Sequence, residues 1–83
     1  MGNTQQRDDT RQRLIRCFQA VFPKLSESDA LRASANRVTE WDSVATMNLV
    51  AVVEEEFGVL FDVKEVEKLN SFERYLNRLS PGV

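Results

Sequence analysis

One missing residue type excludes several kinds of catalysis and metal binding from this chain. The 83 residues contain no histidine. This removes the commonest general base, the usual metal ligand, and both the Ser-His and Cys-His nucleophile pairs. The single cysteine, Cys17, permits no internal disulfide, and its place in an apolar stripe favours a buried side chain over a reactive thiol. We therefore expect no metal site and no enzyme working alone, but a protein that carries, binds or scaffolds something.

The serine of most chemical interest is Ser43, which follows Asp42 where a helix is predicted to begin. Both residue types cap helices, because their side-chain oxygens accept hydrogen bonds from the free backbone N–H groups of the first turn. Taken alone, the pair predicts a helix start. Eleven residues after Ser43 comes the run Glu-Glu-Glu-Phe-Gly over 54–58, which a cap does not explain.

Charge is unevenly distributed along the chain. Residues 1–39 carry seven Lys or Arg against four acids, residues 40–67 carry eight acids against one lysine, and residues 68–83 carry three bases against one acid. A central block with a net charge of −7 should repel nucleic acid and attract basic protein surfaces. Alternatively, these charges only solvate neighbouring helices.

Length and composition predict one small globular domain over residues 1–83. The chain is 42% hydrophobic and 29% charged, which is ordinary for such a domain. The longest apolar run, over 49–53, is too short to span a bilayer. No charged leader precedes an apolar stretch. We expect a cytoplasmic monomer without membrane contact.

Two long helices are predicted, separated by a long connection. The first runs from Thr4 or Asp9 to Phe22, where the following proline ends it. The second runs over 43–57 and ends at a glycine suited to the left-handed cap. Between them the periodicity is weak, with at most a helical turn over 26–33. A connection of this length is often functional.

Two shorter helices are predicted after residue 58. Asp62 and Glu65 have the spacing of a capping box that opens a short third helix through Leu69. Asn70 or Ser71 caps a fourth, which the Pro-Gly pair at 81–82 ends. No strand is predicted, so the fold class is an all-α four-helix bundle. The expected core consists of Leu14, Phe18, Val21, Leu49, Val50, Val53, Phe57, Val66, Phe72, Leu76 and Leu79.

One face of the predicted second helix combines apolar and acidic side chains away from the core. On an ideal helix over 43–57, the predicted core side chains occupy one arc. The side chains on the opposite arc are a mixture of apolar and acidic ones. Exposed apolar side chains with an acidic rim suggest a docking surface, although single exposed apolar residues are common. We call these four residues the docking face: Val44, Met47, Glu54 and Glu55.

Three segments together resemble the acyl carrier proteins, in the wider group of phosphopantetheine-binding carrier domains. They are Glu-Trp-Asp-Ser-Val over 40–44, Met-Asn-Leu-Val over 47–50, and Glu-Glu-Glu-Phe-Gly over 54–58. That group carries Asp-Ser-Leu at the start of the second helix, then an apolar pair and a run of acids before Phe-Gly. The resemblance covers most of the chain, from the apolar stripe of the first helix to Leu79.

The resemblance implies a role for each matched residue. Ser43 would accept the 4′-phosphopantetheine of coenzyme A from a phosphopantetheinyl transferase, and Asp42 would assist that enzyme and its magnesium. The transferase and the acyl-loading and acyl-processing enzymes would bind the docking face. The chain would then hold acyl intermediates as thioesters in lipid or polyketide biosynthesis, and the chemistry would belong to the cofactor and the partner enzymes.

Three departures from the pattern bear on the pathway. Val44 stands where leucine is usual, Asn48 replaces a frequent acid, and Trp41 replaces a small residue. The Trp-Asp-Ser sequence is similar to that of stand-alone carriers of specialised metabolism, and Trp41 is equally well explained as a loop anchor over the core. Two alternatives remain open. One is a peptidyl or aminoacyl carrier, and the other is a helical interaction module without the arm.

Overall fold

The protein is all-α, as predicted. The computed structural model describes residues 2–80, with side chains from residue 8 onward. Helices α1 (Gly2–Val21), α2 (Glu27–Leu31), α3 (Ser43–Phe57), α4 (Val63–Lys68) and α5 (Phe72–Leu79) follow one another along the chain. No strand occurs within residues 2–80, and no helix there has the length and hydropathy needed to cross a bilayer.

The described residues contain five helices, whereas the sequence predicted four. The additional helix is α2, where only a turn was expected. The Ser26 hydroxyl caps it by accepting a hydrogen bond from the Asp29 N–H at 3.1 Å, and Ala30 packs fully into the core. Five residues are too few for a periodic signal, so a good cap and one buried alanine decide the structure.

The C-terminal ends of the two long predicted helices agree closely with the structure, whereas α1 begins at Gly2, ahead of the predicted start at Thr4 or Asp9. Helix α1 ends at Val21, one residue earlier than expected, although the Phe22 N–H still donates to the Phe18 carbonyl at 2.7 Å. Gly58 caps α3 with a φ of 65°, in the left-handed region that favours glycine. The predicted stop at Pro81 and Gly82 lies outside the described residues.

The two short helices begin at the predicted caps. Asp62 and Glu65 form the full capping box of α4: the Glu65 N–H donates to the Asp62 carboxylate at 2.8 Å, and the Asp62 N–H donates back at 3.3 Å. Ser71, rather than Asn70, caps α5 by accepting from the Arg74 N–H at 3.2 Å. In both short helices, the N-cap side chain thus accepts a hydrogen bond from the backbone N–H of the third helical residue.

The core is built around Phe18, whose side chain is fully buried. Its ring meets the rings of Trp41, Phe72 and Tyr75 edge-on, with centroids 5.6, 5.1 and 5.7 Å away. Edge-to-face contacts of this kind stabilise beyond the area that they bury. One side chain of α1 thus joins α5 to the loop that precedes α3.

Most of the predicted core is buried or packed against the buried cluster. Leu14, Phe18, Leu49, Val50, Val53, Phe72 and Leu76 are buried, and Val21, Phe57, Val66 and Leu79 are half-buried. The sequence did not predict that the long connection buries Ala33 and Val38, whereas the burial of Trp41 agrees with the loop anchor that was one of its two explanations. These loop residues follow no helical period, so their burial depends on the tertiary path of the chain.

Two backbone hydrogen bonds fix the long connection to the α4–α5 junction. The Ala35 N–H donates to the Asn70 carbonyl, and the Phe72 N–H donates to the Ala33 carbonyl, each at 2.9 Å. They form an isolated antiparallel bridge between Ser34 and Ser71. The connection is thereby held in place before it reaches α3.

The C-terminal end of α3 is held onto α1 by Arg13. Its guanidinium donates to the Glu56 carboxylate at 2.8 Å and to the Glu56 carbonyl at 2.6 Å, and it lies 4.5 Å from the centre of the Phe57 ring. A two-point hydrogen bond combined with ring stacking suits arginine and not lysine. This contact and the aromatic core together set the direction of α3.

We predict that Phe18→Leu lowers the free energy of unfolding by about 1–3 kcal/mol, because a smaller side chain loses the ring contacts and leaves unfilled volume. Urea denaturation followed by the fluorescence of Trp41, the single tryptophan, measures this. The control is Val63→Ala, at a side chain 75% exposed on α4, which should change the value by no more than about 0.5 kcal/mol. Equal losses for both variants would contradict the packing described.

Candidate functional site

Trp41 anchors the chain directly before α3. Its side chain is buried against the rings of Phe18 and Phe22, each with a centroid 5.6 Å away. Its indole Nε1–H donates to the Thr46 hydroxyl at 3.0 Å. This contact joins the residue before the helix cap to the fourth residue of the helix, the spacing at which a staple fixes the angle of approach. The start of α3 is therefore held rigidly.

Asp42 caps α3. Its backbone is extended, and its carboxylate accepts a hydrogen bond from the Ala45 N–H at 2.8 Å. Its carbonyl accepts from the Thr46 N–H, also at 2.8 Å. The cap role that the sequence offered to either Asp42 or Ser43 thus falls to Asp42.

Ser43 is the first residue of α3 and is exposed. Within residues 8–80 its hydroxyl forms no hydrogen bond, since the neighbouring aspartate already caps the helix. The backbone N–H groups of Ser43 and Val44 also have no acceptor within the described part of the chain. A hydroxyl open to solvent, next to free N–H groups at the positive end of a helix, suits a phosphate ester.

The docking face lies mainly open to solvent. Val44 and Met47 are 69% and 62% exposed, and Glu55 is exposed further along α3. With the exposed Asn48 and Ala51 they form one continuous side of the helix. Two large apolar side chains in water next to a carboxylate are consistent with a surface for a partner protein.

Glu54 differs from the rest of the docking face, because it also has a structural role. It is half-buried, and its carboxylate accepts a hydrogen bond from the Phe61 N–H at 2.8 Å. This bond fixes the segment that leaves α3 after Gly58. A charge reversal at Glu54 would therefore disturb the local fold as well as the surface, whereas Glu55 can be changed cleanly.

Cys17 is buried, and its thiol has low reactivity. Burial raises the pKa of its thiol from 9.0 to about 11; the negative charge of Glu56 adds to this rise, and Arg13 opposes it. The thiolate is the nucleophilic form, so this side chain is a poor nucleophile at neutral pH. Among the described residues, no group of three or more His, Cys, Asp or Glu side chains could hold a metal ion.

The contact that sequence reasoning missed is the one between Trp41 and Thr46. The sequence left two explanations for Trp41, a feature shared with carriers of specialised metabolism or a loop anchor over the core, and its burial makes it an anchor. The available signal was the five-residue spacing across an Asp cap, where an apolar contact commonly forms. Here a hydrogen bond takes the place of that contact.

Comparison with protein-family models, with curated proteins and with solved structures found no match for this chain.

We predict that Asp42→Ala lowers the free energy of unfolding by about 1 kcal/mol, the usual effect of losing a helix cap. Ser43→Ala should change it by less than about 0.5 kcal/mol, because its hydroxyl makes no bond and alanine favours helix. Asp42→Asn retains a capping oxygen and is the matched control. A loss at Ser43 equal to that at Asp42 would contradict the assignment of the cap.

Proposed function

We propose that this chain is a carrier protein of acyl-carrier type, which holds acyl intermediates as thioesters on a 4′-phosphopantetheine arm attached to Ser43. The observation that carries the proposal is the exposed Ser43 hydroxyl, which has no hydrogen-bond partner within residues 8–80 because Asp42 caps α3 in its place. A transferase needs such a hydroxyl, since it must reach the oxygen that forms the phosphodiester.

The residues around Ser43 fit the phosphate end of such an arm. The N–H groups of Ser43 and Val44 can donate to phosphate oxygens, and the α3 dipole favours negative charge there by about 0.3–1 kcal/mol. Asp42 is exposed and directly precedes Ser43, so its carboxylate could bind a magnesium ion held by the transferase. When bound, the arm supplies a flexible thiol that carries the cargo.

The side chains of the chain itself favour a carrier over an enzyme. It contains no histidine, and the thiol of Cys17 is buried with its pKa raised to about 11. The reactive thiol would come from the arm, and the bond-making steps would occur in partner enzymes. A helical interaction module without an arm would share this composition, so loading separates the two functions.

The partners would be a phosphopantetheinyl transferase and acyl-loading and acyl-processing enzymes, which bind the docking face. Val44 and Met47 would fill an apolar contact, and Glu55 would attract basic residues around it. Such charges act mainly on the rate of association, so salt should weaken the encounter. A peptidyl or aminoacyl carrier would present the same surface, and loading by the cognate enzymes separates it from an acyl carrier.

Incubation with coenzyme A, magnesium and a broad-range phosphopantetheinyl transferase should raise the intact mass by about 340 Da, the mass of one arm. The product should also gain one thiol that reacts rapidly with a disulfide reagent at pH 8, where Cys17 stays protonated and buried. Ser43→Ala should lose both the mass gain and the new thiol.

Ser28→Ala, at an exposed serine of α2, is the matched control and should load normally. An unchanged mass in the wild-type chain, or full loading of Ser43→Ala, would contradict attachment at this serine. The helical interaction module would then be the better proposal.

A second prediction concerns the docking face. Glu55→Lys should raise the KM of the transferase about threefold to tenfold with little change in kcat, because a repulsive charge weakens association without touching Ser43. The difference should shrink as salt is added. Glu67→Lys makes the same charge change on α4, outside the docking face, and should leave KM unchanged. Equal KM values for both variants and the wild type would remove Glu55 from the partner surface.

A further inference from the structure

The fold brings together two basic segments that are far apart in the sequence. Residues 1–39 carry seven Lys or Arg against four acids, and residues 68–83 carry three against one. The bridge between Ser34 and Ser71, with its two backbone hydrogen bonds of 2.9 Å, fixes the connection after α2 to the start of α5. Basic side chains on either side of this bridge are therefore neighbours on a fixed backbone.

Two adjacent grooves connect these side chains. One lies between the residues after α2 and the start of α5, has a volume of about 310 Å³, and is lined in part by Arg32 and Arg37. The other lies between α4 and α5, has a volume of about 490 Å³, and is lined in part by Lys68 and Arg74. Glu73 lines both grooves, so they adjoin at its side chain. We call these four bases the basic surface: Arg32, Arg37, Lys68 and Arg74.

None of the four bases is neutralised by an acid from the described part of the chain. All four are exposed, and within residues 8–80 none of them forms an ion pair, although Glu73 lines the same grooves. Arg78 in the second groove is, by contrast, paired with Glu65. Like charges held on a fixed backbone repel one another, and an anion between them would relieve that repulsion.

The grooves favour the carboxylates of a protein over the phosphates of a nucleic acid. Together they are lined by five Lys or Arg against two acids, Glu65 and Glu73. A nucleic acid carries a phosphate at every step, so some phosphates would meet these acids and the negative residues 40–67. A protein segment can place carboxylates against the guanidinium groups, which match them in geometry, and uncharged residues against Glu73. Leu31, 42% exposed in the first groove, adds an apolar contact.

We propose that the basic surface binds an acidic segment of a partner protein. Its carboxylates pair with Arg32 and Arg37 in the first groove and with Lys68 and Arg74 in the second. This interface is separate from the docking face, because neither groove is lined by a residue of α3. The chain can thus stay bound to one protein through the basic surface while α3 remains open to another. The inference does not depend on an arm at Ser43.

The test is an NMR titration of the isotope-labelled, unmodified chain with a synthetic peptide rich in glutamate and leucine, at physiological ionic strength. The backbone amide signals of residues 31–37 and 68–78 should shift most, and those of α3 should stay in place. Arg32→Glu combined with Arg37→Glu should raise the Kd about tenfold or more, because attraction becomes repulsion. Arg16→Glu makes the same kind of charge change at an exposed arginine of α1, outside both grooves, and should change the Kd by less than about twofold.

The wild-type titration decides the inference even if a variant does not fold, since it shows where the peptide binds. Shifts that spread over α1 or centre on α3, the absence of a saturable shift, or an equal loss of binding in Arg16→Glu would overturn it. It is also overturned if a DNA oligonucleotide of the same charge gives the same shifts at a lower Kd, because the surface would then suit nucleic acid. None of these results bears on the loading of Ser43, so the inference and the carrier function can fail separately.

Discussion

The structure depends most on the burial of Trp41 at the point where the long connection meets α3. The indole packs against Phe18 and Phe22 and donates a hydrogen bond to Thr46, so the loop and the first turn of the helix are held as one unit. The same Phe18 ring contacts α5 through Phe72. A single aromatic cluster therefore sets where α3 begins and where the side chains of its first turn point. An exposed loop could not hold a reactive group in so fixed a position.

The division of roles between Asp42 and Ser43 follows from that fixed start. One residue satisfies the backbone of the helix, and the next is left with a free hydroxyl in solvent. A cap made by Ser43 would have occupied the oxygen that the proposed modification needs. The arrangement also leaves the N–H groups of Ser43 and Val44 free where the proposed phosphate would lie, which would be favourable electrostatically. The helix can therefore be capped while the serine stays accessible, because Asp42 provides the cap and Ser43 provides the hydroxyl.

The sequence predicted those elements that local chemistry determines. The capping box of Asp62 and Glu65, the glycine at 58 and the stripe containing Leu14 and Phe18 needed no tertiary information, and each is present. Helix α2 was missed because five residues give no periodic signal. The burial of Ala33 and Val38 was missed because it depends on contacts between segments far apart in the chain. The docking face was predicted as a helical arc, but the hydrogen bond from Phe61 to Glu54 depends on how the chain folds back after α3. The Tyr75 hydroxyl has no hydrogen-bond partner among the described residues, which likewise depends on tertiary packing and could not be predicted from the sequence.

The central claim is that a transferase can join an arm to one particular oxygen, and peptide mapping tests it most directly. After incubation with coenzyme A and a broad-range transferase, tryptic digestion and tandem mass spectrometry should place the phosphopantetheine on Ser43, with every other serine and threonine unmodified. Modification of a different residue, or no modified peptide from a folded chain, would contradict the account.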